Sequence, residues 1–327
     1  MNKHSADFKK ISDIIKDAKN ELYLLKGTES KFAEKKREVF FVEIIGDVTS
    51  YFREKYTKNL EKYSNPNCKT YDFYDERNGI EDFYVKTIDV EPVEVLAAVN
   101  KSILYELPKE TEDNIIRDIN KKTIAKLKGY VISFKNGNGE KILFYRTHRP
   151  GEKINSKGLT MALCSGKFNV VEGDLFKIDE NFDGIFCKFN DKEIMYVINE
   201  GEFERLFDFT DYYLLESEKA IEKLKESKII QLPENILEEI KHSKKLMKDF
   251  TALNNKKSFD SIDFKLFNKI SEKAKNTNQD MAYSISDGKI LIPDTDALDN
   301  FFSVLKGKMA EDINDNKLCK VSGKQII

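Results

Sequence analysis

Histidine, cysteine and long apolar runs are all scarce in this sequence, and each shortage removes a class of function. The three histidines, His4, His148 and His242, stand apart, and none has a serine, cysteine or acidic partner at the spacing of a nucleophilic or metal-binding constellation. Cys68, Cys164, Cys187 and Cys319 form no CxxC pair and have no nearby histidine. They read as thiols of a reducing cytoplasm, which argues against a structural zinc and a disulfide framework. Neither a Walker loop nor GxGxxG occurs, so no nucleotide cofactor is expected, nor any other. The most apolar run, Val39 to Ile45, falls far below the roughly 20 residues needed to cross a bilayer. The opening MNKHSADFKKISDIIKDAKN is amphipathic and charged, without the apolar core of a signal peptide. A cytoplasmic chain follows as the expectation, reaching a membrane only through a partner. Charge of one sign is missing too: 55 basic and 57 acidic residues leave a net −2. A nucleic-acid partner would therefore have to be met by a local basic patch.

What is present is enough apolar residue for a core, 40% of 327, and a patterned centre. Tyr130 to Phe134 and Lys141 to Arg146 are rich in β-branched and aromatic residues and enclose Asn136-Gly137-Asn138-Gly139. Asn and Gly supply the positive φ of a tight reversal, so the pattern predicts a β-hairpin. Further short strands are predicted at Leu159 to Leu163, Asn169 to Val171, Leu175 to Ile178, Gly184 to Phe189 and Lys192 to Val197. Glu202 to Phe207 returns to helix, with Phe203, Leu206 and Phe207 as core anchors. The expected fold is α+β: an antiparallel β-rich module over 129–210, an α/β region over 1–128, a helical region over 211–281 and a small α/β tail over 282–327.

In the first region, apolar spacing predicts helices over Ala6 to Asn20, Asp47 to Tyr63, Glu94 to Asn100 and Glu112 to Lys128. Strands are expected at Leu22 to Leu25, Thr70 to Tyr74 and Phe83 to Ile88; Val39 to Ile45 fits a strand or a helix start. After Asp211 the period is helical. Ala220, Ile221 and Leu224 mark one helix, Ile236, Ile240, Met247 and Phe250 a second with Pro233 in its first turn, and Ile262 to Ala274 a third. The tail offers a hairpin around Asp287-Gly288, a helix through Ala297 to Leu305, and a last segment from Lys317 that fits a further strand on that hairpin.

Three groups of residues carry possible chemistry. Lys141, Arg146, Arg149, Lys153 and Lys157 follow or accompany Phe144 and Tyr145, so cations and rings meet where phosphates and bases would bind. Lys241, Lys244, Lys245 and Lys248 around His242 form the densest basic run, fit either for a solvated helix face or for phosphate. Glu200, Glu202, Glu204 and Asp208 offer an acidic face for a basic partner. A metal-dependent nuclease is the competing reading, with Asp183, Lys192 and Glu193 as its nearest approach to an acid-acid-lysine site. Asp294, Asp296 and Asp299 suit the first turn of a helix better than a metal.

The run YVISF, KILFYRTHRPGEKI, then GKFNVVEGDLFKIDENFDGIFC and KEIMYVINEGEFERLFDF, followed by helices, resembles the KwaB-like proteins of the Kiwa bacterial anti-phage system. The likeness covers residues 20 to 327 and is clearest over 129 to 210, including Phe182-Asp183 and Phe203-Glu204. It implies a cytoplasmic, homodimeric defence protein that acts with a membrane subunit, KwaA, and binds phage DNA so that replication and transcription are obstructed. It carries no catalytic residues over to this chain.

Overall fold

The computed structural model describes residues 4–26, 38–42, 46–65, 67–72, 84–89, 127–148, 161–164, 167–170, 181–189, 193–207, 210–312 and 317–321. The expected helix at Glu94 to Asn100 and strand at Leu175 to Ile178 lie outside them, as does most of Glu112 to Lys128. The described residues fall into two compact units, one up to Phe207 and the other from Thr210 onward.

The first unit is built on an eight-stranded sheet in the order β2-β1-β5-β6-β9-β10-β4-β3. Its strands are β1 (Lys19–Lys26), β2 (Glu38–Val42), β3 (Lys69–Asp72), β4 (Tyr84–Asp89), β5 (Leu127–Lys135), β6 (Lys141–Thr147), β9 (Gly184–Lys188) and β10 (Glu193–Val197). Every pairing is antiparallel except β3 with β4. β7 (Met161–Cys164) and β8 (Lys167–Val170) form a separate antiparallel pair. Both helices and a large mixed sheet are present, so the fold is α+β. Leu127 and Lys128 correct one expectation: they begin β5 and do not end a helix. Leu127 pairs with Lys26 and is buried in the sheet core, an outcome set by a strand a hundred residues earlier.

Helices α1 (Ser5–Asp17) and α2 (Gly46–Ser64) cover one face of the sheet. Phe8, Ile11 and Ile15 of α1 and Phe52, Tyr56 and Leu60 of α2 meet alternate strand residues such as Leu24, Ile132, Phe144 and Tyr196. That match of a 3.6-residue stripe to a period of two is what makes these segments one core. Tyr56 sits 4.6 Å from Phe144 and 5.4 Å from Phe182 between ring centres. Polar ties fix the helices over it: Tyr196 donates its hydroxyl to Asp7 at 2.5 Å, and Arg53 donates to the Ala18 carbonyl at 2.6 Å.

The opposite face receives α3 (Glu200–Leu206), capped by Asn199, which accepts from the Glu202 amide. Its anchors Phe203 and Leu206, with Phe207 after it, are buried. They reach the sheet because two strand glycines lie beneath them. A Cβ on Gly129 would stand 2.5 Å from the Arg146 carbonyl oxygen and 2.7 Å from Leu206, and one on Gly184 would stand 2.8 Å from Phe203. The β5–β6 hairpin turns as expected, though only Gly139 takes a positive φ, 83°; Asn136 closes the loop by accepting from the amides of Asn138 and Glu140.

The second unit contains α4 (Thr210–Glu226), α5 (Ile236–Ile240), α6 (Lys244–Asn255), α7 (Phe264–Asn276) and α8 (Thr295–Leu305). Phe250 packs edge-on to Phe302 at 4.7 Å, and Phe267 stacks on Phe301 at 5.0 Å. The helix expected across Ile236 to Phe250 is two: Ser243 accepts from the Leu246 amide and starts α6 afresh, and Pro233 precedes α5. The turn Asp287-Gly288, with φ of 52° and 73°, joins β12 (Ser284–Ser286) to β13 (Lys289–Leu291). The final strand β15 (Leu318–Lys320) pairs with β14 (Met309–Glu311) and not with that hairpin. The free side of β13 is already taken by β11 (Ile230–Gln231), in parallel.

Candidate nucleic-acid interface

Arg146 and Lys141 leave the same strand with different surroundings. Arg146 gives its Nη1 to Asp183 at 2.8 Å, and the second Asp183 oxygen accepts from the Thr147 amide at 2.7 Å. Asp183 has no exposed surface; burial pushes its carboxyl above the usual range, against the pull of the Thr147 amide and Arg146. Its backbone joins the same knot, since its amide donates to Tyr145 and its carbonyl accepts from Ile198 and Asn199. A phosphate at Arg146 would have to compete with this buried carboxylate.

Lys141 opens β6 at the hairpin end of the sheet, half-buried, with Lys135 of β5 and Lys188 of β9 directly opposite on either side. Burial lowers its pKa; Glu21 opposes that, and the two neighbouring lysines add to it. Among the described residues no carboxylate lies within ion-pair distance of Lys141. Lys135 and Lys188 are absent from the sequence-derived set. Lys135 meets Lys141 across the expected β5–β6 hairpin, whereas the pairing of β6 with β9 was needed to join Lys188. Arg149, Lys153 and Lys157 lie outside the described residues.

In the second unit the break at Ser243 places Lys241 at the end of α5 and Lys244, Lys245 and Lys248 on the first turns of α6. Lys241 pairs with Glu238 at 2.9 Å. Lys245 contacts Asp299, which Lys320 also reaches at 2.6 Å. Against the burial that would raise it, these two lysines hold the Asp299 carboxyl below its ordinary range. Lys248 lies 5.9 Å from the Tyr213 ring centre, and Lys244 is exposed. A cleft of about 690 Å³ lies beside this cluster, lined by His242, Lys245, Asp296 and Asp299 among others. Asp294 caps α8 by accepting from Ala297, as a first-turn carboxylate should.

The acidic group is largely engaged within the first unit. Glu200 accepts from Lys86 at 2.6 Å, Glu202 is buried beside Arg205 at 3.0 Å, and Glu204 is half-exposed. Asp208 lies outside the described residues. Of the residues weighed for a nuclease, Glu193 accepts from Lys188 at 2.7 Å, Asp183 is held as above, and Lys192 is not described. No group of three or more His, Cys, Asp or Glu among the described residues is placed to hold a metal.

A family model described as Kiwa protein KwaB-like matches residues 124–311, more than half of the chain. No curated protein and no solved structure matches it.

Proposed function

The chain belongs to the Kiwa protein KwaB-like family of anti-phage defence, and on that premise we propose that it is the DNA-binding effector subunit of a defence complex. The observation that carries the DNA reading is Lys141, a half-buried ammonium with lysines on both sides and no carboxylate within ion-pair distance among the described residues. Such a group is poorly placed for stability and well placed for an incoming anion. The exposed lysines of α6 add a second basic surface. Binding by phosphate contact is independent of sequence, which suits an agent that obstructs replication and transcription of phage DNA.

The reading includes a homodimer and a membrane subunit of the KwaA kind as partners. No helix among the described residues is long and apolar enough to cross a membrane, so the proposed route to the membrane is that subunit. The protein is proposed to act by occupancy, without a catalytic step.

Titration of labelled duplex DNA with the purified chain tests the core of this reading. Binding should weaken steeply with salt, log K falling with log salt at a slope of about −3.6 if four phosphates are neutralised. A chain that does not bind at low salt removes the DNA reading. DNA cleavage with Mg²⁺ or Mn²⁺ that Asp183→Asn abolishes would replace it with the nuclease.

A further inference from the structure

The registers of five neighbouring strands bring Lys19 opposite Lys135, Lys135 opposite Lys141, Lys141 opposite Lys188, and Lys188 opposite Glu193. Directly paired residues share a face, so four lysines from β1, β5, β6 and β9 form one row across the end of the sheet. The row lies on the face away from α1 and α2, because Leu24, Ile132 and Ile142, which meet those helices, have the opposite parity. α3 occupies the other end of the same face, over Gly129 and Gly184. At about 4.8 Å between strands the row is about 15 Å long.

Like charges directly opposed on a sheet repel, and this row contains three such contacts in succession. Among the described residues, the carboxylates in ion-pair contact with the row are at its ends, Glu21 3.6 Å from Lys19 and Glu193 2.7 Å from Lys188, while Glu21 acts on Lys141 only from beyond that distance. The two central lysines have no ion-pair partner among the described residues. Lys19, Lys135 and Lys188 are exposed, so an external ligand can reach the row along most of its length. A ligand that relieves all three repulsions must carry several negative charges at a spacing of a few ångström, which a nucleic-acid backbone does and a single small anion does not.

We infer that Lys19, Lys135, Lys141 and Lys188 form a phosphate track on which a DNA backbone lies across the strands. This rests on the DNA reading above and adds the residues, the face and the direction. The track reads no sequence, since phosphate contacts position and do not specify.

The test compares the full-length wild-type chain, K135Q/K141M and K244Q/K245Q for binding to a labelled 20-base-pair duplex from 50 to 300 mM NaCl, with thermal melts of each. If the track is right, K135Q/K141M loses about 1.8 from the magnitude of the salt slope, about 0.9 for each phosphate contact. Its melting temperature rises or holds, because all three repulsive contacts of the row have been removed. A misfolded variant would lose binding and melt lower; in that event K19Q/K135Q, confined to exposed residues, must show the same loss of slope with an unchanged melt, and an unchanged slope there overturns the track. Wild-type binding with K135Q/K141M unaltered overturns the track and leaves the DNA reading standing, particularly if K244Q/K245Q carries the loss. No binding by the wild type overturns both.

Discussion

Asp183 is held by both of its oxygens and by its backbone, and that constraint explains why a carboxylate at the start of a strand need not be an active-site acid. Both oxygens are occupied and the residue is fully buried, so removing it takes a buried counter-charge away from the Arg146 guanidinium, itself only 11% exposed. Breaking a buried pair from one side costs about 3–5 kcal/mol. Asp183→Ala should therefore lower stability to urea by that order, and Asp183→Ala with Arg146→Met should recover a good part of it. If the single variant melts like wild type, the knot is not structural. Glu140 gives a residue-scale pH effect. The hydrogen bond from Lys10 holds its carboxyl below the usual glutamate value, aided by Asn136 and opposed by burial. A depressed carboxyl contributes stability that is present above the unfolded value of about 4.3 and lost as pH falls through the folded one. The melting-temperature gap between wild type and Glu140→Gln should thus be widest near neutrality and close on acidification; a gap that widens in acid would contradict the sign.

At the scale of elements, α3 depends on what is missing beneath it. Gly184 lets Phe203 touch β9, and a methyl there meets the ring at 2.8 Å and the Tyr196 carbonyl oxygen at 3.3 Å. Overpacking of this kind costs about 1–3 kcal/mol, so Gly184→Ala should destabilise by that amount in a denaturant titration, and Phe203→Leu in the same chain should offset part of it. A glycine inside a strand signals close approach of another element, and that cue was available in Gly129 and Gly184. The hairpins around Gly139 and Gly288 were legible because their turns are local, and so was the apolar stripe of α1. Local pattern did not reveal that Ser243 interrupts a helix whose apolar face continues on both sides, since a cap and a mid-helix serine differ only by tertiary context. The candidate interface divides in the same way. Lys141 and the α6 lysines stood out as charge clusters. Lys19 and Lys188 join Lys141 only through pairings of strands far apart in the chain.

At the scale of the molecule, the eight-stranded sheet draws on residues from both sides of position 128. β1 lies between β2 and β5, and β4 pairs with β10. The core under α1 and α2 is completed by Tyr130, Phe144, Ile185 and Tyr196. A fragment ending at residue 126 should accordingly show no cooperative melt followed by circular dichroism; a sharp transition in that fragment would mean the first region closes a core of its own. The placement of β1 also has a consequence in time. Its inner neighbour is made about a hundred residues later, which at 5–20 residues per second is a wait of roughly 5–20 s on the ribosome. During that interval Leu22, Leu24 and the apolar side of α1 have not met the strands that bury them. The nascent chain is then open to aggregation and to capture by chaperones, so its yield in the cell should depend on how fast it is translated between β1 and β5.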